Sequence, residues 1–113
     1  MNETDPISQP YGQEINTQPQ RTFYGQIIGR PRIFTDKDGV GFVSFRAILE
    51  EKDGLHKRHV TAMGKDFVNY AHSFLKIGKK VVITGGYYTH FKNRSNGEKK
   101  REKRIRASDF RIL

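Results

Sequence analysis

Val40-Gly41-Phe42-Val43-Ser44-Phe45-Arg46-Ala47-Ile48-Leu49 alternates with a period of two. Val43, Phe45, Ala47 and Leu49 share one parity, and Phe42, Ser44, Arg46 and Ile48 the other. That period belongs to a strand with one buried face, so the odd-numbered set is expected in the core and the even-numbered set outside. Asp36-Lys37-Asp38-Gly39 precedes it and supplies a tight turn, because Asp-Gly tolerates the positive φ of hairpin turns. Upstream, Thr22 to Phe34 reads as a first strand, with Gly25, Gly29 and Pro31 marking bends or edges. Downstream, the polar turn Glu50 to Gly54 leads to a third strand over Leu55 to Met63, which completes a meander.

The period then changes. Phe67, Tyr70, Ala71, Phe74 and Leu75 recur at helical spacing within Lys65 to Leu75, and Gly78 follows where helices often end. A fourth strand, Lys79 to Phe91, has Val81 and Ile83 on one parity and Tyr88 and His90 on the other, with Gly85-Gly86 predicting a sharp bend. After the polar loop Lys92 to Gly97, a fifth strand runs from Lys99 to Leu113. Its apolar parity shifts between Ile105 and Ala107 on one side and Phe110 and Ile112 on the other, and a bulge near Ser108 and Asp109 would reconcile them. Three strands, a helix and two strands make an all-β chain with one helix. That is the order of a five-stranded OB barrel with its helix between strands 3 and 4.

The chain has 113 residues and 35% hydrophobic content, enough for one domain with a modest core. Residues 1 to 21 differ from the rest. Pro6, Pro10 and Pro19 stand there among polar residues, and the segment reads as a flexible arm whose isolated Ile7, Tyr11 and Ile15 could dock on another subunit. Residues 22 to 113 form the expected OB domain. Twenty-one Lys+Arg against 12 Asp+Glu give a net charge of +9, and the arm, with Glu3, Asp5 and Glu14 against Arg21, contributes none of the surplus. A field of that sign concentrates polyanions, nucleic acid foremost. Cysteine is absent, so disulfides and thiolate metal sites are excluded. No apolar run reaches membrane-spanning length and no secretory leader is evident, so a cytoplasmic protein without a membrane partner is expected.

Several spaced pieces resemble the bacterial single-stranded DNA-binding protein family. They are Ile27-Ile28-Gly29-Arg30; Val43 to Leu49; Met63-Gly64-Lys65 with Val68, Ala71 and Phe74-Leu75; Lys76-Ile77-Gly78 leading to Val81-Val82-Ile83-Thr84-Gly85; and the closing Ala107 to Leu113. The resemblance covers residues 22 to 113. It implies bases laid on aromatic side chains of the sheet face and its loops, assembly as dimers or tetramers, and a place in replication or transfer of DNA. Where the family commonly carries aromatics this chain has Lys52, Lys57 and Met63, and the aromatic after the fourth strand falls at Phe91 or Lys92, one residue out of step. Stacking is therefore expected to be weaker or relocated. The acidic tail by which many relatives recruit proteins does not follow the last strand, and the short, basic, tailless form is similar to those of plasmids, conjugative elements or phages.

Single-strand binding needs cations along the backbone path and flat rings for bases. The candidate residues are Arg30, Phe42, Arg46, Lys57, Tyr88, His90, Phe91, Lys92, Arg94, Lys99, Arg101, Arg104 and Arg106. Phe23, Phe45, Phe67, Phe74 and Tyr87 are assigned to the structure, and Tyr24 is left open. His56 and His59, three apart on a strand, point to opposite faces and cannot jointly chelate, although either could line the binding surface. No Walker loop or activated nucleophile is present, so neither an enzyme nor a cofactor is expected. Single-stranded DNA is the first partner, with RNA a further ligand. The alternative is a general nucleic-acid coat that holds single-stranded and duplex DNA alike, assembled as a homo-oligomer through residues 1–21.

Overall fold

A computed structural model describes residues 19–93 and 96–113. The proposed arm, apart from its last residues, and Arg94 lie outside them. The chain forms β1 (Arg21–Ile27), β2 (Arg32–Thr35), β3 (Gly41–Glu51), β4 (Gly54–Met63), α1 (Lys65–Phe74), β5 (Lys80–Asn93) and β6 (Lys99–Ile112). Where five strands are expected, six are found. The single strand anticipated over Thr22 to Phe34 breaks at Ile28 to Pro31, because Pro31 has no N–H to give a ladder. β2 then pairs with β3 alone, Phe34 opposite Phe42.

The sheet order is β1-β5-β6-β4-β3-β2, and a further pairing of β1 with β3 turns it into a closed ring to which β2 is added. Most ladders are antiparallel. The exception joins β4 to β6 in parallel through Val60 to Ala62 and Ile105 to Ala107. Where β5 meets β6 the register passes from Thr84↔Asp109 to Gly85↔Ala107, leaving Ser108 unpaired. This bulge switches the parity of β6 and brings both Ile105 and Phe110 inward.

Val43, Phe45, Ala47 and Leu49 are fully enclosed, together with Phe23, Ile27, Val60, Ala62, Val81, Ile83, Ile105 and Phe110. Removing such apolar faces from water is the main favourable contribution to folding. Ala71 and Leu75 of the helical segment are buried in the same cluster, with Phe67 and Tyr70 packed against it. Their rings lie 5.3 and 5.6 Å from Phe110. Phe74, assigned to the core by helical spacing, instead stays half exposed. It stands in the last helical turn, its ring centroid 4.8 Å from that of Tyr70. Leu75 is the C-cap, and Gly78 lies in the turn beyond, at φ 91°.

The first turn forms as its sequence requires. Asp36 Oδ1 accepts hydrogen bonds from the Asp38 and Val40 N–H groups, each at 2.9 Å, and Gly39 takes φ 83°.

Candidate nucleic-acid interface

Residues directly opposite one another on paired strands point to the same side of a sheet. That rule assembles one continuous outer face. From β2 to β3, Arg32 lies opposite Ser44 and Phe34 opposite Phe42. From β3 to β4, Phe42, Ser44, Arg46 and Ile48 face Met63, Thr61, His59 and Lys57. Thr61 then adjoins Arg106 of β6. From β6 to β5, Arg106, Arg104, Glu102 and Lys100 stand opposite Gly86, Tyr88, His90 and Lys92.

Phe42, Arg46, Lys57, Tyr88, His90, Lys92, Arg104 and Arg106, all anticipated from the sequence, thus share one surface. Arg30 lies between β1 and β2, outside the paired strands, two residues after the Ile28 N–H that donates to the Arg46 carbonyl at 2.9 Å. Phe91, Lys99 and Arg101 do not join the shared surface. They occupy the opposite parity of the β5–β6 hairpin, with Phe91 across from Arg101 and Asn93 across from Lys99. Arg94 lies outside the described residues.

The middle of the face sinks into a recess of about 590 Å3 lined by Arg32, Phe34, Ser44, His59, Lys92 and Arg104. At its edge the rings of Phe34 and Phe42 stack at 5.3 Å with an interplanar angle of 9°. Phe34 remains 47% exposed, so one of its faces is open to a further ring. The Arg106 guanidinium sits 4.4 Å from the centroid of Tyr88. Offset stacks and cation–π contacts hold such rings flat and reduce the entropy lost when a base settles on them. Arg32 and Phe34 escape the sequence reading because their strand was joined to β1, so their parity relative to β3 had no anchor.

Below the rings, Ser44 Oγ and His59 Nε2 are hydrogen-bonded. Burial, reinforced by Arg104 and Arg46 against the opposing pull of Glu102, pushes the His59 imidazole down to about 4. His90 is lowered as well, by burial and by Arg104. Burial would raise Glu102, but the Arg104 hydrogen bond and charge, with Lys92, outweigh it and hold the carboxylate below its ordinary range. Arg104 Nε donates to Glu102 at 2.7 Å, and Lys92 lies 3.8 Å from the same carboxylate. Among the described residues, Arg32, Arg46, Lys57 and Lys100 make no ion pair and are available to phosphates.

A neutral folded-state His59 sets a sign for acid stability. The unfolded chain protonates an ordinary imidazole near pH ~6.5, so it binds more protons than the folded chain as pH falls from there towards 4. Stability contributed by His59 is complete above about pH 6.5 and is lost through that window, by up to about 1.4 kcal/mol per pH unit. His59→Asn is expected to lose less between pH 7 and 5 than the unaltered chain, as read from urea midpoints at the two values. Equal losses would refute the assignment.

The opposite end of the strands carries a separate cluster. Arg58 donates to both oxygens of Glu51, at 2.8 and 2.9 Å, and the Tyr87 hydroxyl donates to the same carboxylate at 2.6 Å. His56 is hydrogen-bonded to Asp53 nearby. Glu51, Asp53 and His56 present ligand atoms within 4.8 Å of one another. The Glu51 oxygens are already engaged, so a cation there would have to displace Arg58 or Tyr87.

No protein-family model matches the sequence, and no curated protein matches it. Solved structures do match the fold. The small single-stranded DNA-binding protein of Streptomyces coelicolor superposes with a TM-score of 0.66 at 17% identity, over 87% of this chain and 96% of that one. A mitochondrial single-stranded DNA-binding protein of S. cerevisiae gives 0.67 at 12% identity, over 87% and 97%. A Plasmodium falciparum SSB in complex with ssDNA gives 0.70 at 16% identity, over 83% and 93%. Among the described residues no helix is long and apolar enough to cross a membrane.

Proposed function

We propose that this chain binds single-stranded DNA with little regard for sequence, laying bases on Phe34, Phe42 and Tyr88 while the surrounding cations hold the phosphates. The observation that carries the proposal is the single register connecting β2, β3, β4, β6 and β5, which gathers these rings with Arg32, Arg46, Lys57, Lys92 and Lys100 on one face. Every base has a π-face, so stacking rewards unpaired bases without selecting among them. The fold shared with single-stranded DNA-binding proteins supports the same conclusion.

The strand would follow the recess between the Phe34–Phe42 pair and the base of the β5–β6 hairpin. His59, neutral at physiological pH, would meet it as a hydrogen-bonding group and not as a charge. A role in replication or transfer of DNA in the cytoplasm, performed as a homo-oligomer linked through residues 1–21, completes the proposal.

If about five cations each neutralise one phosphate, log K should fall against log salt with a slope near −3.5. Fluorescence polarisation with labelled oligo-dT measures it, and absence of binding at low salt would remove the proposal. The excess of cations over stacking rings favours one other reading, a coat protein holding duplex and single strands alike. Competition between the two forms decides, since only stacking rewards unpaired bases, and a preference above roughly tenfold for single strands excludes the coat.

A further inference from the structure

The β5–β6 hairpin outgrows the ring. β1 pairs with β5 only as far as Gly85, and β4 reaches β6 only at Ile105 to Ala107. Beyond these points, from Tyr88 to Asn93 and from Lys99 to Arg104, the two strands pair with each other alone. They form a two-sided blade.

One side, with Tyr88, His90 and Lys92, continues the recess. The other carries its own rings and cations. Phe91 is 57% exposed, with the Arg101 guanidinium 5.9 Å from its centroid. Lys103 Nζ lies 4.5 Å above Tyr87, and Arg21 approaches the same ring at 5.4 Å. Lys99 extends the row towards the tip. Among the described residues, Arg21, Lys99, Arg101 and Lys103 have no carboxylate partner. Two of the acids near them are held by other cations, Glu51 by Arg58 and Glu102 by Arg104, while Glu98 at the tip accepts only from the neutral Asn96 amide. Unneutralised like charges gathered on one face repel one another, and a bound polyanion relieves that repulsion.

We infer that the back of the hairpin, centred on Phe91, Arg101 and Lys103, is a second site for single-stranded polynucleotide, separate from the recess. One protomer then holds two segments of strand, one on each side of the blade. The inference rests on the single-strand reading of the recess, whose chemistry of exposed ring and unpaired cation it repeats. A long strand could fold round the hairpin to occupy both sites, and two short strands would occupy one each.

Native mass spectrometry of the full chain with an oligo-dT of about six nucleotides, within the range of a single OB-fold site, counts strands per protomer whatever the oligomeric state. Two are expected at saturation. Arg101→Glu with Lys103→Glu should reduce the count to one, as should Arg32→Glu with Arg46→Glu in the recess. All four side chains are exposed, and far-UV circular dichroism verifies that the variants fold. One strand on the unaltered chain, or two on the Arg101→Glu/Lys103→Glu variant, would overturn the inference while leaving the recess intact. No strand on any form would overturn the single-strand reading and this inference together.

Discussion

Replacing Phe34 and Tyr88 together with alanine is expected to weaken binding of oligo-dT by at least ~30-fold. Each stacked base is worth about 1 to 3 kcal/mol by alanine substitution, so two platforms contribute roughly 2 to 6 kcal/mol, and the lower figure already gives that factor. The rings are suited to the role by how they are held. Phe34 is braced flat against Phe42, and Tyr88 is faced by Arg106. Neither belongs to the buried core cluster, so folding should survive their removal. Polarisation titrations with matched oligo-dT and duplex DNA separate the two contributions, because phosphate contacts persist in the variant. Affinity for single strands should fall while the salt slope stays. A loss below about threefold would mean that the bases lie elsewhere.

The second large effect concerns stability. A Cβ added at Gly25 would stand 1.9 Å from the Ile48 carbonyl oxygen and 2.7 Å from Leu49 Cδ2, both belonging to the strand that β1 must meet to close the ring. Backbone cannot yield as a flexible side-chain tip can, so Gly25→Ala must pull β1 and β3 apart. The expected cost is roughly 3 kcal/mol or more, in the upper range of overpacking effects. Gly39→Ala is the control. Its φ of +83° lies in an open turn with nothing within 4 Å, and its cost should be confined to the backbone strain of about 1 to 2 kcal/mol. Urea denaturation compares the two. If Gly25→Ala loses no more than Gly39→Ala, β1 and β3 are not held together as described.

The alternation in Val40 to Leu49 was legible because burial on one side imposes a period of two, and the enclosed Val43, Phe45, Ala47 and Leu49 follow it. The bulge was legible too. Apolar parity cannot switch between Ile105 and Phe110 without an extra residue, and Ser108 is that residue. Gly25 and Gly85 read only as bends or edges, whereas in the structure the neighbours of both lie nearer than a Cβ permits. Pairing partners were not legible, because register is a relation between distant segments. Arg32 and Phe34 could be placed over Ser44 and Phe42 only once β2 was known to pair with β3 alone. The basic run after Lys92 read as one patch, yet the pleat divides it. Lys100, Arg104 and Arg106 go to the face that holds the recess, and Lys99, Arg101 and Lys103 to the back of the hairpin. His59 needed the same knowledge, since only the β3–β4 register sets it opposite Arg46.

The last strand in chain order lies inside the sheet, between β5 and β4. During synthesis the ring therefore stays open until β6 has emerged from the ribosome, and β4 meanwhile presents an unsatisfied edge to the crowded cell. Its seam with β6 joins residues more than forty positions apart, a contact whose loop-closure entropy delays folding. The nascent chain thus passes through a period in which another copy's strand could take the vacant place.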